Sequence, residues 1–360
     1  MSTCQLIEAL MDLLVRMRLT SPPAATRGAY GVLTTLVLFR EEALPAKKLQ
    51  QSEQQVDTMV AEAVLAMRLL RDRMRPALPC ALVADGAAWA HLGTLGLRSL
   101  WDRRVALPDP AKTAATMLAG LPRRQHARGG EVAWLFKFAA LLLSPFNATV
   151  YMDLDVLVLS PTLVDDLLHH TLRVADLAFP HDPAREPREY PMFHRVADFG
   201  RGVPPMCAGL LAFRLTPSVS RLLERAADAL LRRTVDLKAL GFRNGDQEML
   251  WHQLWTGGVA DPSLRMMQLP EEYFCPFRRG RERMRQLGPS LDGPVLAAAT
   301  WPRWVTSWGR YRCKALHGHL NGADLHRTNL SHYALQRGAR RAPFRWSDHP
   351  STRVLVEYTT

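Results

Sequence analysis

The chain has no C-x-x-C pair, and its five cysteines, Cys4, Cys80, Cys207, Cys275 and Cys313, lie scattered along 360 residues. That spacing excludes a zinc ribbon and leaves one or two disulfides open. Long hydrophobic runs are missing too: the apolar stretch after Phe138 is broken by Ser144 and Pro145, well short of a membrane span. The amino-terminal STCQLIEALMDLLVRMRL has helical apolar spacing, but it carries Glu8 and Asp12 and lacks a basic leader region. No signal or anchor is recognised in it. Lysine-rich tracts interleaved with aromatics are also absent, which argues against a nucleic-acid partner. No internal repeat and no clear domain linker are found.

What is present is a large apolar complement, 48% of residues, enough to bury a substantial core. A net charge of +12 favours anionic partners. Most of the bases are arginines dispersed among Ala, Leu and Pro, a compositional habit before it is a binding surface.

Strand and helix signals alternate. YGVLTTLVLF (30–39) reads as a buried strand, and Ser52 opens a helix over 52–75 with Val56, Met59, Val60, Val64, Met67 and Leu70 at helical spacing. CALVADG (80–86) is a short strand ending in a turn. A short helix, a strand near Arg104–Leu107 and an apolar helix over Glu131–Leu143 follow. Further on, 161–170 predicts a short helix, 172–180 and 207–215 contain strands, and Pro217–Leu240 and Asp246–Trp255 are helical. The Pro- and Arg-rich 181–205 reads as a long loop. Such alternation predicts an α/β fold: a mostly parallel, doubly wound central sheet flanked by helices. Ligands of such sheets bind beyond the carboxyl ends of the strands.

The stretch VYMDLDVLVLS (150–160) is the most informative. Read as one strand, it places Asp153 and Asp155 on the same face by alternation. Two like carboxylates that close resist burial unless a divalent cation or strong donors hold them. Oxygen-ligand metal chemistry is one reading; a strand end emerging into solvent is the other.

Four segments together widen the view. They are WLFKFAALLLSPFNATVYMDLDVLVLSP (134–161), CAGLLAFRLTP (207–217), NGDQEMLW (244–251) and CKALHGHL (313–320). In order and spacing, over roughly 190 residues, they resemble the nucleotide-sugar glycosyltransferases of the GT-A fold, notably the glycogenin-like and plant cell-wall types. The second segment is similar to the family's small-residue strand, usually written Asn-Ser-Gly or Asn-Ala-Gly, whereas the fourth departs from it: Lys314 precedes His317, where the family commonly has a lysine shortly after His-x-x-Gly. The resemblance implies a GT-A (Rossmann-like) domain over 29–330, an N-terminal helix or extension over 1–28 and a C-terminal tail over 331–360. It also implies Mn²⁺- or Mg²⁺-dependent transfer of a sugar from a UDP-linked donor to a glycan or protein acceptor, with retention.

Residue by residue, the resemblance makes Asp155 a metal ligand, Asp153 a shared ligand or ribose contact, and His317 the third protein ligand. A surface histidine is the plain reading of His317, and His319 is a rival. Lys137, mid-helix, is implied to meet phosphate or an acidic group; snorkelling to solvent is the alternative. Asp246 and Gln247 are implied to work at the sugar, although Asp246 as a helix cap needs no function. Ala208 and Gly209 would let the sugar approach backbone; a packing glycine is the other account. The diphosphate-binding base stays open among Arg310, Arg312 and Lys314. A Golgi or other secretory lumen is the implied compartment, where the sequons at Asn147 and Asn329 would matter; the cytoplasm is the alternative. Two rivals stand beside the transferase. One is a haloacid-dehalogenase-like phosphatase using the same carboxylates, which would want Thr or Val where Leu157 stands. The other is an inactive protein that binds anionic glycans or nucleotides.

Overall fold

Strand β1 (Gly28–Leu36) is the centre from which the architecture is laid out. The computed structural model describes residues 27–36, 60, 63–64, 66–67, 69–71, 74, 78–107, 129–180, 206–232, 245–254, 261, 263–270, 273–276 and 314–317. The expected N-terminal helix before residue 27, the loop at 181–205, the tail at 331–360 and residues Cys4, Arg310, Arg312, Cys313, His319 and Asn329 lie outside these.

After β1 come β2 (Cys80–Ala84), helix α1 (Gly86–Thr94), β3 (Arg103–Ala106), helix α2 (Gly129–Leu142) and β4 (Phe146–Met152). β5 (Val156–Val158) leads into a helical stretch, α3, made of Leu163–Asp165, a π-helical Asp166–Thr171 and Leu172–Val174. Then follow β6 (Leu177–Pro180), β7 (Leu210–Arg214), α4 (Pro217–Arg232), α5 (Asp246–Gln253), β8 (Met266–Leu269), β9 (Cys275–Pro276) and β10 (Ala315–His317). The sequence places most of these within a few residues. The expected turn at Asp85-Gly86 is instead a helix start, with the Asp85 carboxylate accepting from Ala88 N at 2.9 Å. The described residues between 60 and 71 are helical, as the apolar spacing predicts.

Seven strands form the main sheet in the order β3-β2-β1-β4-β7-β6-β8, and β5, β10 and β9 form a second, small sheet. β3, β2, β1 and β4 run parallel. β7 is antiparallel to both β4 and β6, so the sheet is mostly parallel with one reversed strand. The mostly parallel sheet flanked by helices is as expected, and the reversal of β7 matters for the site: it brings the leading residues of that strand, not its trailing ones, to the carboxyl end of β4.

Alternation along the central strands separates two apolar layers. Leu33, Ala81, Val83, Tyr151, Leu211 and Phe213 face one side and pack with Phe136, Leu141, Leu223 and Leu250 of α2, α4 and α5. Val32, Leu82, Val150, Met152 and Leu210 face the other and pack with Val64, Met67, Trp89 and Leu167. A strand buried on both faces needs apolar residues at odd and even positions alike, and these strands have them. Asp176 clamps the edge, receiving hydrogen bonds from Arg265 Nε at 3.0 Å and Nη2 at 2.7 Å where β6 and β8 begin.

Gly31 marks the tightest packing in β1. A Cβ there would stand 2.5 Å from the ring of Phe146, which is fully buried and cannot retreat. Gly31→Ala is therefore expected to cost about 2–3 kcal/mol through overpacking. Urea unfolding checks this; a variant as stable as the parent would mean that the Phe146 ring has room to move.

Candidate active site

The D-x-D stretch is two strands and a turn, which corrects the single strand expected for 150–160. β4 ends at Met152, Val156 N donates to Asp153 O at 3.0 Å, and β5 then departs into the second sheet. Pairing in different sheets forces the chain to turn at 153–155, so the two carboxylates are gathered by a tight turn rather than by pleat alternation. They sit at the carboxyl end of β4, next to β1, where the sheet order reverses, the position at which α/β sheets bind ligands.

Four other segments converge there. β10 pairs antiparallel with β5, setting His317 opposite Val156, with His317 Nε2 3.5 Å from Asp155 Oδ2. Asp153, Asp155 and His317 each offer a ligand atom within 4.8 Å of the others. Ligands about 2.0–2.6 Å from one ion lie at most about 5 Å apart, so this group could hold a divalent metal. The antiparallel β4–β7 pairing delivers Ala208 and Gly209: Asp153 N donates to Gly209 O at 2.8 Å. Gly209 is glycine for a reason of space. A Cβ there would stand 2.8 Å from His317 Nε2 and 3.2 Å from the Phe274 ring.

From the opposite layer comes Lys137 of α2. Its ammonium pairs with Asp153 Oδ2 at 2.9 Å and Asp246 Oδ2 at 2.6 Å. Thus it does not snorkel to solvent; it joins β4 to the first turn of α5. Gly245, not Asp246, occupies the N-cap of that helix, so the Asp246 side chain serves the ion pair. Gln247, the next residue, accepts from Ala208 N at 3.1 Å through Oε1 and ties α5 to the approach to β7.

Burial dominates the electrostatics. Alone it would lower the Lys137 ammonium, but the charges of Asp153 and Asp246 outweigh it and hold that pKa well above the usual lysine value. Burial also works to raise Asp246, yet Lys137, by charge and by hydrogen bond, keeps it below the ordinary carboxylate range. Asp153 goes the other way. Burial, with Asp155 and Asp246 close by, pushes its carboxyl up despite Lys137 and the Tyr151 hydroxyl. Its side chain still shows 29% of its surface, which marks the one open direction of an otherwise enclosed group.

Two site residues escaped the sequence reading. Tyr151 OH donates to Asp153 Oδ1 at 2.5 Å and lies 2.9 Å from Thr35 Oγ1 of β1. The signal was available: Tyr151 and Asp153 are two apart, hence on one face, and a buried tyrosine hydroxyl usually finds a partner. Cys207 is the second, its Sγ 3.8 Å from His317 Nδ1.

Lys314 has partners of its own. Three residues before His317, it sits with its ammonium 2.6 Å from Asp166 Oδ2, 3.4 Å from Thr162 Oγ1 and over the Tyr273 ring. Its charge is engaged with α3. Among the described residues no helix is long and apolar enough to cross a membrane.

No family model matches the chain, and no curated protein does. Solved structures do. Mouse xyloside xylosyltransferase 1 in its apo form is 15% identical, with a TM-score of 0.46 over 82% of this chain and 99% of that one. The galactosyltransferase LgtC in complex with donor and acceptor sugar analogues is 14% identical, with a TM-score of 0.47 over 88% of this chain and 99% of its own. The glycosyltransferase GlyE of Streptococcus pneumoniae TIGR4 is 12% identical, with a TM-score of 0.40 over 92% of this chain and 64% of its own.

Proposed function

We propose that this chain is a metal-dependent glycosyltransferase of the GT-A fold, moving a sugar from a UDP-linked donor, with retention, to a glycan or protein acceptor. The observation that carries the reading is the convergence of Asp153, Asp155 and His317, from β4, the turn and β10, at the carboxyl end of β4. Sequence resemblance supplies the reaction class.

Asp155 and His317 would be the principal ligands of Mn²⁺ or Mg²⁺. An imidazole beside carboxylates suits Mn²⁺ better than a purely oxygen-loving ion. Asp153 would be the shared contact, since Tyr151 and Lys137 already engage its two oxygens. When bound, the ion supplies a Lewis acid for the negative charge that develops on the departing diphosphate. The chain's own groups do the rest. Ala208 and Gly209 let the sugar approach the backbone, and Asp246, kept ionised by Lys137, accepts hydrogen bonds from sugar hydroxyls. Gln247, steadied through Ala208 N, flanks the reacting carbon. Lys314, its ammonium paired with Asp166, would be the base for the diphosphate among the described residues.

A panel of UDP- and GDP-sugars, each incubated with the full chain and Mn²⁺ or with EDTA, tests the reading. The expected result is sugar release from a UDP-linked donor that falls at least about tenfold on chelation. Phosphate release from simple esters would favour the phosphatase instead. If no donor is bound or hydrolysed with Mn²⁺ present, the transferase reading fails.

A further inference from the structure

His317 is held by contacts on its ring face and at both ring nitrogens. Phe274 lies against its ring, centroids 4.7 Å apart at 32°, and Gly209 approaches Nε2 so closely that no Cβ fits between them. Nε2 faces Asp155 Oδ2 at 3.5 Å, and Nδ1 faces Cys207 Sγ at 3.8 Å, within reach of a sulfur hydrogen bond. Cys207 is 4% exposed and carries no disulfide. The backbone around its thiol is pinned from three directions: Cys207 N donates to Pro180 O at 2.9 Å, Ala208 N to Gln247, and Gly209 O accepts from Asp153 N.

We propose that Cys207 is a positioning residue for His317, its thiol pairing with Nδ1 so that Nε2 stays aimed at Asp155 whichever ring nitrogen bears the proton. The inference rests on the reading of His317 as a metal ligand. A neutral imidazole carries one proton. With that proton on Nε2, facing Asp155, Nδ1 is an acceptor and the S–H donates to it. When Nε2 turns its lone pair to a metal, the proton resides on Nδ1 and sulfur accepts. A thiol does both jobs weakly, without any change of rotamer. An alanine would leave that ring nitrogen with one partner fewer in either state, and the ring would lose its directional restraint. Partners on the second nitrogen of a ligating histidine hold its ring orientation in this way.

The test measures Mn²⁺ affinity of the full chain by electron paramagnetic resonance of the free ion, for the parent, Cys207→Ala, Cys207→Ser and His317→Ala. Cys207→Ala is expected to weaken binding by about 10-fold or more, the usual cost of removing such a partner, and Cys207→Ser to stay within about threefold. Nitrogen-15 histidine spectra of the metal-free proteins add a signature that mere packing would not move. The Nδ1 resonance of His317, assigned with His317→Ala, should carry the shift of a hydrogen-bonded nitrogen in the parent and move to that of an unbonded one in Cys207→Ala. The proposal is overturned if Cys207→Ala binds Mn²⁺ as the parent does, if both cysteine variants lose affinity equally, or if the His317 Nδ1 resonance is the same in Cys207→Ala as in the parent. If the parent binds no Mn²⁺, or His317→Ala binds it undiminished, the metal reading itself fails and takes this inference with it.

Discussion

Asp155→Ala is expected to lower metal-dependent turnover of the nucleotide-sugar donor by about 10²–10³-fold or more, while leaving thermal stability at or above that of the parent. The first half follows from the role assigned to the carboxylate. Losing one of two principal ligands removes charge stabilisation where the diphosphate departs, and preorganised stabilisation of that kind contributes about 3–4 kcal/mol to a barrier. The second half follows from repulsion. Asp155 is among the charges that push the Asp153 carboxyl up, so deleting it relieves an unfavourable pair in an enclosed site. Activity and stability should therefore move in opposite directions, as expected where a site is strained for function. Donor hydrolysis with Mn²⁺, run beside a melting curve, checks both. Turnover within tenfold of the parent would sink the ligand role, and a drop of many degrees in melting temperature would sink the electrostatic account.

Much of this site was legible before any coordinates, but as separate pieces. Asp153 and Asp155 are conspicuous because carboxylates interrupt an apolar run, but a turn between β4 and β5, not strand alternation, brings them together. The turn at 153–155 contains no Gly or Pro, and its two turn-favouring aspartates sit within an apolar run that reads as continuous strand. Only the departure of β5 toward β10, more than 150 residues later in the chain, requires it. Lys137 and Asp246 each carried two local explanations, snorkelling and capping, and neither sequence position can name the other across 109 residues. Their pairing is a product of α2 packing beside α5. The strands themselves were readable because burial on both faces demands uninterrupted apolar sequence. Strand direction was not, since an antiparallel β7 has the same composition as a parallel one. Cys207 was invisible as a site residue for a related reason: a small apolar side chain before a buried strand looks like packing until His317 is placed against it.

Lys137→Met should be the most destabilising single change in the site, costing about 3–5 kcal/mol at neutral pH, because it leaves carboxylates buried beside one another without their cation. Methionine keeps the length and the apolar stem, so the loss is charge rather than packing. The pH dependence has a definite sign. The depressed pKa of Asp246 contributes stability that is present above the unfolded carboxylate value and disappears as pH falls through the folded one. The raised pKa of Lys137 contributes stability that is full below the unfolded lysine value and fades only as pH climbs through the folded one. In the variant both contributions are gone and the carboxyls take up protons more readily. The stability gap between parent and variant should accordingly be widest near neutrality and narrow as the pH is lowered into the carboxylate range. A double-mutant cycle gives the sharper test. Asp246→Asn in the Lys137→Met background removes one of the stranded charges, so the double variant should be more stable than the sum of the single losses by about 1.5–3 kcal/mol. Strict additivity in urea unfolding would mean that the 2.6 Å contact between Lys137 and Asp246 contributes nothing as a pair, and that the enclosed site is wetter than its geometry implies.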